Sequence, residues 1–364
     1  MKKIILGIVF VFLFSVVLSA CSSVQATGTP TNDQGSQGQQ TEATSAPQAE
    51  DKYPERPINL IVPTNPGGGI DLWNRVLAAE MEKTLGQKIL VNNMPGGGPG
   101  GTGTAYVWNQ PHEGYFMVGC SETSLTIPVM TSDIDQKSGD WEIFVAGGSP
   151  GLLCVNKNAG YTSMAELVAA ATAKPDEIKI ASSSGGLWLI LANLYAKYSD
   201  VPLGNATYDG SRSAITACVS GETVAVNASL GEVIDFVKSG DLIPLAVYDT
   251  EDFNLPGFGT IEAVVKQVPE VGQFLPLKQW IGFMIPSDTP ENIKIKLTEA
   301  FNAAMASDTV KQFAEDQYAV TYGLTGEEAA SLGLSTQRTM CWVLYELGKT
   351  ERSPEVLGIS QPGN

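Results

Sequence analysis

Two glycine-rich loops, each set between a short apolar run and an amphipathic stretch, limit what this chain can fold into. The first reads Pro63-Thr64-Asn65-Pro66-Gly67-Gly68-Gly69-Ile70-Asp71 and follows apolar residues 58–62. The second reads Asn93-Met94-Pro95-Gly96-Gly97-Gly98-Pro99-Gly100-Gly101-Thr102-Gly103 and follows residues 89–91. Strand, glycine-rich turn and helix, repeated in that order, is the pattern of an α/β fold. Each loop sets backbone amides at a helix N-terminus, where unsatisfied N–H groups and the macrodipole favour an anion.

The alternation continues along the chain. Strands are expected at 58–62, 88–92 and 115–119, with helices at 70–85 and 102–109 between them. In the first helix Trp73, Leu77, Met81 and Leu85 recur every four residues on one face, and Gly86 stops it. A strand through Phe144-Val145-Ala146 leads across to a second lobe. That lobe has strands at 152–155, 178–181, 223–227 and 243–247 and helices at 163–173, 187–198 and 211–219. The chain then returns through a strand at 280–285 and helices at 291–305 and 326–347. The expected division is a first lobe of 53–150 plus 248–364 and a second of 151–247, so two crossings form a hinge.

The N-terminal segment predicts export. Lys2 and Lys3 precede an apolar run at 4–18 that ends in Leu18-Ser19-Ala20-Cys21, the lipobox of a bacterial lipoprotein signal peptide covering residues 1–20. Residues 21–52 then supply the Cys21 lipid anchor and a Ser/Thr/Gln/Gly-rich tether. Of 22 basic residues, removal of Lys2 and Lys3 leaves 20 against 39 acidic ones, a net charge of −19. Such a balance excludes nucleic acid and anionic lipid surfaces, which require clustered Lys and Arg. It opposes an anionic ligand as well. Screening beyond about 8 Å at physiological ionic strength leaves the decision to local amides.

Catalytic and metal chemistry find little support. Cys120, Cys154, Cys218 and Cys341 have no paired spacing and sit among apolar neighbours, so they are read as buried thiols, with disulfide pairing left open. No metal site or cofactor is indicated. His112 is the sole histidine and lies in the turn Gln110-Pro111-His112-Glu113-Gly114, away from the ligand-binding strand ends, so no titrating site side chain is expected between pH 6 and 8. Gly98-x-Gly100-x-x-Gly103 fits a dinucleotide fingerprint, with Glu122 as the nearby acid. It sits on the second βα unit rather than the first, which leaves a dinucleotide-dependent enzyme as a minor alternative.

Specific residues carry a family resemblance. Tyr53-Pro54-Glu55-Arg56-Pro57-Ile58, Val62-Pro63, Pro66-Gly67-Gly68-Gly69, Asp71, Leu85-Gly86-Gln87, Val91, Asn93, Pro95-Gly96, Gly103 and Gly114-Tyr115 come first. Tyr208, Gly210-Ser211, Gly221, Lys238-Ser239-Gly240-Asp241-Leu242, Leu245-Ala246-Val247, Trp280, Gly282, Pro286 and Thr289-Pro290 follow. Across roughly residues 53 to 340 the chain resembles the Bug-type solute receptors of tripartite tricarboxylate transporters. The resemblance implies a type II periplasmic binding-protein fold, two α/β lobes closing on a small carboxylate, no catalysis, and delivery to membrane transporter subunits by a monomer.

In the first lobe the candidate ligand contacts are Thr64, Asn65, Gly67, Gly68 and Gly69, with Gly97, Gly98, Gly100 and Gly101 as an opposite jaw. Asp71 joins them at lower rank, since an acid in the first turn of a helix favours capping and loop shaping over ligand contact. In the second lobe Ser182, Ser183, Ser184 and Gly185 form a nest of amides and hydroxyls, with Tyr208, Gly210, Ser211 and Asn227 beside it. Ser211 reads equally well as an N-cap, and Trp188 as core. The chain departs from the family at Thr64, where an aromatic is usual, at Asn92-Asn93-Met94-Pro95-Gly96, and in lacking a second-lobe histidine. These departures leave the ligand's identity open. A sensor component that binds the same ligand and docks to a signalling ectodomain is the remaining alternative.

Overall fold

The computed structural model describes residues 52–96, 101–131, 135–175, 177–201, 203–275 and 277–361. Cys21, the tether and Gly97, Gly98 and Gly100 lie outside the described residues. The chain begins with β1 (Ile58–Val62), α1 (Gly69–Leu85), β2 (Ile89–Asn93), α2 (Gly101–Trp108), β3 (Phe116–Ser121), α3 (Ile127–Thr131) and β4 (Trp141–Gly148). It continues through β5 (Gly151–Asn156), α4 (Met164–Ala173), β6 (Lys179–Ser183), α5 (Leu187–Ser199), β7 (Gly204–Tyr208), α6 (Ser211–Val219), β8 (Ala225–Ser229), α7 (Leu230–Lys238) and β9 (Leu242–Val247). A hairpin of β10 (Phe253–Leu255) and β11 (Gly259–Ile261) precedes β12 (Ile281–Pro286), α8 (Glu291–Ala306), α9 (Asp308–Asp316), β13 (Val320–Leu324) and α10 (Gly326–Glu346).

Two twisted sheets result. The first runs β13-β4-β12-β3-β1-β2, with β1 parallel to β2 and β3 and β12 antiparallel to both neighbours. The second runs β7-β6-β8-β5-β9, with β6 parallel to β7 and β8 and β5 antiparallel to β8 and β9. Each sheet therefore has a parallel half whose strands are followed by helices, and those strands end at the same edge. In an open α/β sheet this edge is where ligands bind.

Helix α1 forms where the four-residue spacing places it. Trp73, Leu77 and Met81 are buried, and Gly86 ends the helix at φ 68°, its N–H donating to the Glu82 carbonyl at 2.9 Å. Leu77 and Met81 pack on a core that includes Phe144, Phe283 and Phe301. There Phe144 and Phe283 stack at 4.5 Å and Phe301 meets both edge-on at 5.6 and 5.8 Å. The four cysteines are free and buried, and burial raises their thiols, Cys218 and Cys341 up to about 12.

The chain passes between the sheets at Ser149-Pro150 and again in the stretch from β9 to β12. These crossings are tied together where the Ser149 N–H donates to Gln279 Oε1 at 3.1 Å, and the Ser149 hydroxyl donates to the carbonyl of Gln317, between α9 and β13, at 3.0 Å. The second crossing is longer than the pattern implied. Leu255, Ile261 and Ala263 pack with the second sheet's Val226 and Val247, although the sequence reading returns the chain to the first lobe at residue 248. Met340 to Leu344 of α10 likewise share a core cluster with Leu153, Ile180 and Tyr195.

Phe301→Ala removes the edge-on ring from a fully buried aromatic triad, which is expected to cost about 3–5 kcal/mol of folding stability. Urea unfolding checks this value. A loss under 1 kcal/mol would mean that the triad is not an essential part of the first-lobe core.

Candidate functional site

The parallel-strand edges of the two sheets face each other across a cavity of about 460 Å³. From the first lobe it is lined by Pro63, Thr64, Asn65, Gly68, Gly69 and Ile70 after β1, Pro95 and Gly96 after β2, and Ser121 to Ser124 after β3. The second lobe contributes Ser183 and Ser184 after β6, Trp188, Asp209 to Ser213 after β7, and Glu232 at the start of α7. Gln279 and Ile281 enter from the second crossing.

The β1–α1 loop owes its shape to Asp71. Its carboxylate, 2% exposed, accepts from the Gly67 N–H at 2.9 Å, from Asn93 Nδ2 at 2.9 Å and from Arg75 Nε at 3.0 and 3.1 Å. Burial alone would raise this carboxyl, yet the hydrogen bonds from Arg75, Gly67 and Asn93 together hold it below its ordinary value. Asn93 Nδ2 also donates to the Thr64 carbonyl at 3.0 Å, so one buried acid joins the first and second glycine loops. Asp71 does not line the cavity.

This scaffold leaves the α1 N-terminus facing the cavity. Gly67 takes φ 84°, a region that only glycine enters without strain, and Gly68 is the N-cap in an extended conformation. Gly68, Gly69 and Ile70 then carry N–H groups of the first turn, which have no partner within the helix. That of Gly69 donates across the cleft to Glu232 Oε1 at 3.2 Å. A second link between lobes joins Asn65 Nδ2 to the Asp209 carbonyl at 3.2 Å and to its Oδ2 at 3.0 Å.

In the second lobe, Ser183 and Ser184 reach the cavity while Ser182 is fully buried behind them, its hydroxyl without a partner. Gly185, at φ 65°, turns the chain into α5 without lining the cavity. Gly210, at φ 91°, is the N-cap of α6, so Ser211 is its first helical residue rather than the cap that its side chain suggested. Both line the cavity. Tyr208 instead donates its hydroxyl to Glu222 at 2.8 Å. Asn227 is buried, accepting from the Tyr248 hydroxyl at 3.0 Å and donating to the Trp188 carbonyl at 3.5 Å. It supports Trp188, which is both core and cavity wall.

On the second glycine loop, Gly101 begins α2, buried and off the cavity. Gly103 is needed for a close approach, since a Cβ there would meet Pro63 Cβ at 2.9 Å and the Met94 carbonyl at 3.2 Å. His112 is held away from the cavity by Asp288 Oδ1 at 2.5 Å and the Trp108 carbonyl at 2.9 Å. Among the described residues no group of three or more His, Cys, Asp or Glu side chains is placed to hold a metal ion.

Three carboxylates in the cavity, Asp209, Glu122 and Glu232, escaped the sequence reading as site residues. Glu232 belongs to a capping box, Oε2 accepting from the Ser229 hydroxyl at 2.7 Å, a Ser-x-x-Glu signature legible at 229–232. Glu122 follows β3, is 4% exposed, and accepts from the Trp280 N–H at 3.2 Å. Burial, opposed by backbone N–H donors and assisted by the Glu232 charge, pushes Glu122 up to about 8. The expectation that no site side chain titrates between pH 6 and 8 is therefore corrected at Glu122.

Because Glu122 shifts from an ordinary 4.5 up to about 8, the folded protein holds an extra proton between those values. Its contribution to stability is full below about pH 4.5 and is lost as pH rises towards about 8. Glu122→Gln is expected to flatten the fall in the urea midpoint between pH 5 and 8. Parallel profiles for wild type and variant would overturn this assignment.

Protein BugT of Bordetella pertussis is 28% identical over 277 residues, covering 74% of this chain and 82% of BugT. Among solved structures, the periplasmic binding protein BugD superposes with a TM-score of 0.74 at 20% identity, covering 82% of this chain and 100% of BugD. MatC from Rhodopseudomonas palustris with bound malate gives 0.71 at 21% identity, covering 80% and 100%. Those two likenesses speak for the two-lobed periplasmic binding-protein fold. The family model described as tripartite tricarboxylate transporter family receptor matches residues 73–330, and this chain belongs to that family of solute receptors.

Proposed function

We propose that this chain is a lipid-anchored extracytoplasmic receptor that closes two α/β lobes on a small carboxylate and hands it to the membrane subunits of a tripartite transporter. The observation that carries the reading is the α1 N-terminus, where Gly68, Gly69 and Ile70 face the Ser183-Ser184 and Gly210-Ser211 segments across one cavity. Amides at a helix N-terminus that lack a partner within the helix, with hydroxyls opposite, bind an anion without any basic side chain of their own. The malate held by MatC supports a carboxylate as the ligand class. Binding without turnover is supported by the placement of the only histidine, His112, outside the cavity. A sensor role would use the same cavity and differ in the partner docked.

The lipobox at Leu18-Ser19-Ala20-Cys21 supports the anchor. Among the described residues no helix is long and apolar enough to cross a membrane. On this reading Cys21→Ser moves the exported protein from the membrane fraction to the soluble fraction with unchanged ligand affinity. A wild-type protein that carries no acyl chain by mass spectrometry would remove the anchor from the proposal.

Ligand class is tested by thermal shift with mono-, di- and tricarboxylates, and by mass spectrometry of ligand released from gently purified protein. A ligand present at 100 times its Kd adds about 2.7 kcal/mol of stability. Gly68→Val sharpens the test. The extended backbone at Gly68 accepts a side chain, and a Cβ there lies 3.9 Å from both Glu232 Oε1 and the Asn65 carbonyl. The variant is expected to keep its unfolding midpoint and lose at least about tenfold in affinity, about 1.4 kcal/mol. Stabilisation by sugars alone, or full affinity in Gly68→Val, would sink the carboxylate reading.

A further inference from the structure

The charge of the cavity is at odds with a plain carboxylate. Three acidic side chains line it, Glu122, Asp209 and Glu232, against the single basic side chain of Arg212. Asp209 and Arg212 are exposed at the rim, whereas Glu122 is buried and Glu232 is partly buried. Among the described residues neither Glu122 nor Glu232 forms an ion pair with Lys or Arg, and their hydrogen bonds come from neutral donors. Those donors are the Trp280 N–H for Glu122, and the Gly69 N–H with the Ser229 hydroxyl and N–H for Glu232.

The two acids occupy adjoining walls. Ile281, next in sequence to Trp280, brings its Cδ1 to 2.9 Å from the place a Cβ on Gly69 would take. The donors to Glu122 and Glu232 are thereby carried on segments in contact, and the Glu232 charge is felt at Glu122. A buried carboxylate without a counter-charge keeps its proton, as Glu122 does up to about 8, and a cation bound between it and Glu232 favours the ionised form. Among the described residues the one basic side chain of the cavity, Arg212, is exposed at the rim and pairs with neither acid. Thr64 Oγ1 is a further buried polar atom without a partner, on a residue that lines the same cavity.

We infer that the ligand is an aminocarboxylate, whose protonated nitrogen sits between Glu122 and Glu232 while its carboxylate takes the first-turn amides of α1, replacing Glu232 at Gly69, and the second-lobe serines. This rests on the carboxylate-receptor reading and narrows it. An ammonium offers three donors and no acceptor, which matches two carboxylates that already have neutral donors on one side. A ligand with both charges also avoids the penalty that a dianion meets in a cavity lined by three acids. Glu122 and Glu232 thus set specificity, and the amide loops set anion binding.

The test compares each amino acid with the same acid lacking the nitrogen, by calorimetry on ligand-stripped full-length protein. The pairs are β-alanine and propionate, 4-aminobutyrate and butyrate, aspartate and succinate, and glutamate and glutarate. In at least one pair the amino member is expected to bind about tenfold or more tightly than its twin, as a charge-assisted hydrogen bond in a buried site implies. Glu122→Gln and Glu232→Gln should each reduce that preference about tenfold. Both variants suit the fold, since glutamine at 232 keeps a capping box and glutamine at 122 still accepts from Trp280. Twins that bind as tightly as the amino acids would overturn the inference and leave the carboxylate receptor standing. A preference that survives unchanged in both variants would overturn the role of the acid pair. Failure of every carboxylate to bind, with or without nitrogen, would overturn both readings.

Discussion

A single buried carboxylate shapes the surface on which everything else is built. Asp71 collects N–H donors from Gly67, Asn93 and Arg75, and in doing so fixes the turn before α1 and joins it to the end of β2. Without those bonds the Pro66 to Gly69 segment would have no reason to prefer one path, because glycine loses more conformational freedom on ordering than any other residue. The loop is thus flexible by composition and ordered by one acid. An aspartate beside an anion site is reasonable once it faces away from the cavity and spends its charge on the scaffold.

The same logic explains which glycines matter. Gly67 needs its positive φ, and Gly103 needs the absence of a Cβ because α2 lies against Pro63 and Met94. Gly68 needs neither for folding; what it provides is space next to the first-turn amides. These three glycines therefore perform different tasks, and only the structure separates them.

Much of the architecture was legible because the parallel strands and their helices announce themselves by apolar runs and by i, i+4 spacing, as in Trp73, Leu77 and Met81. What escaped is short or polar. β7 reads Gly204-Asn205-Ala206-Thr207-Tyr208, an edge strand with little apolar content, and β13 contains Gly323. The α7 helix follows directly on β8 without an intervening loop, so its apolar residues merge with those of the strand despite the capping box at Ser229. The candidate site divides in the same way. Loop residues such as Asn65, Gly68 and Ser183 are visible as turn chemistry. Glu122 and Glu232 are not, because nothing local shows that acids so distant in sequence share one cavity.

That shared cavity is also where the two lobes are bonded to each other. Glu232 caps α7 in one lobe and accepts from Gly69 in the other, and Asn65 reaches Asp209 in parallel. The Asn65 bonds are exposed and contribute little, whereas the Gly69 bond reaches a partly buried carboxylate and contributes about 1.5–3 kcal/mol. A ligand at a hundredfold excess over its Kd contributes about 2.7 kcal/mol, a similar amount. The bonds between the lobes and a bound ligand thus contribute on the same scale. On the aminocarboxylate reading, a cation that draws the Glu232 carboxylate towards it would loosen the Gly69 bond, and the ligand's own carboxylate would take that amide, joining the lobes through the ligand.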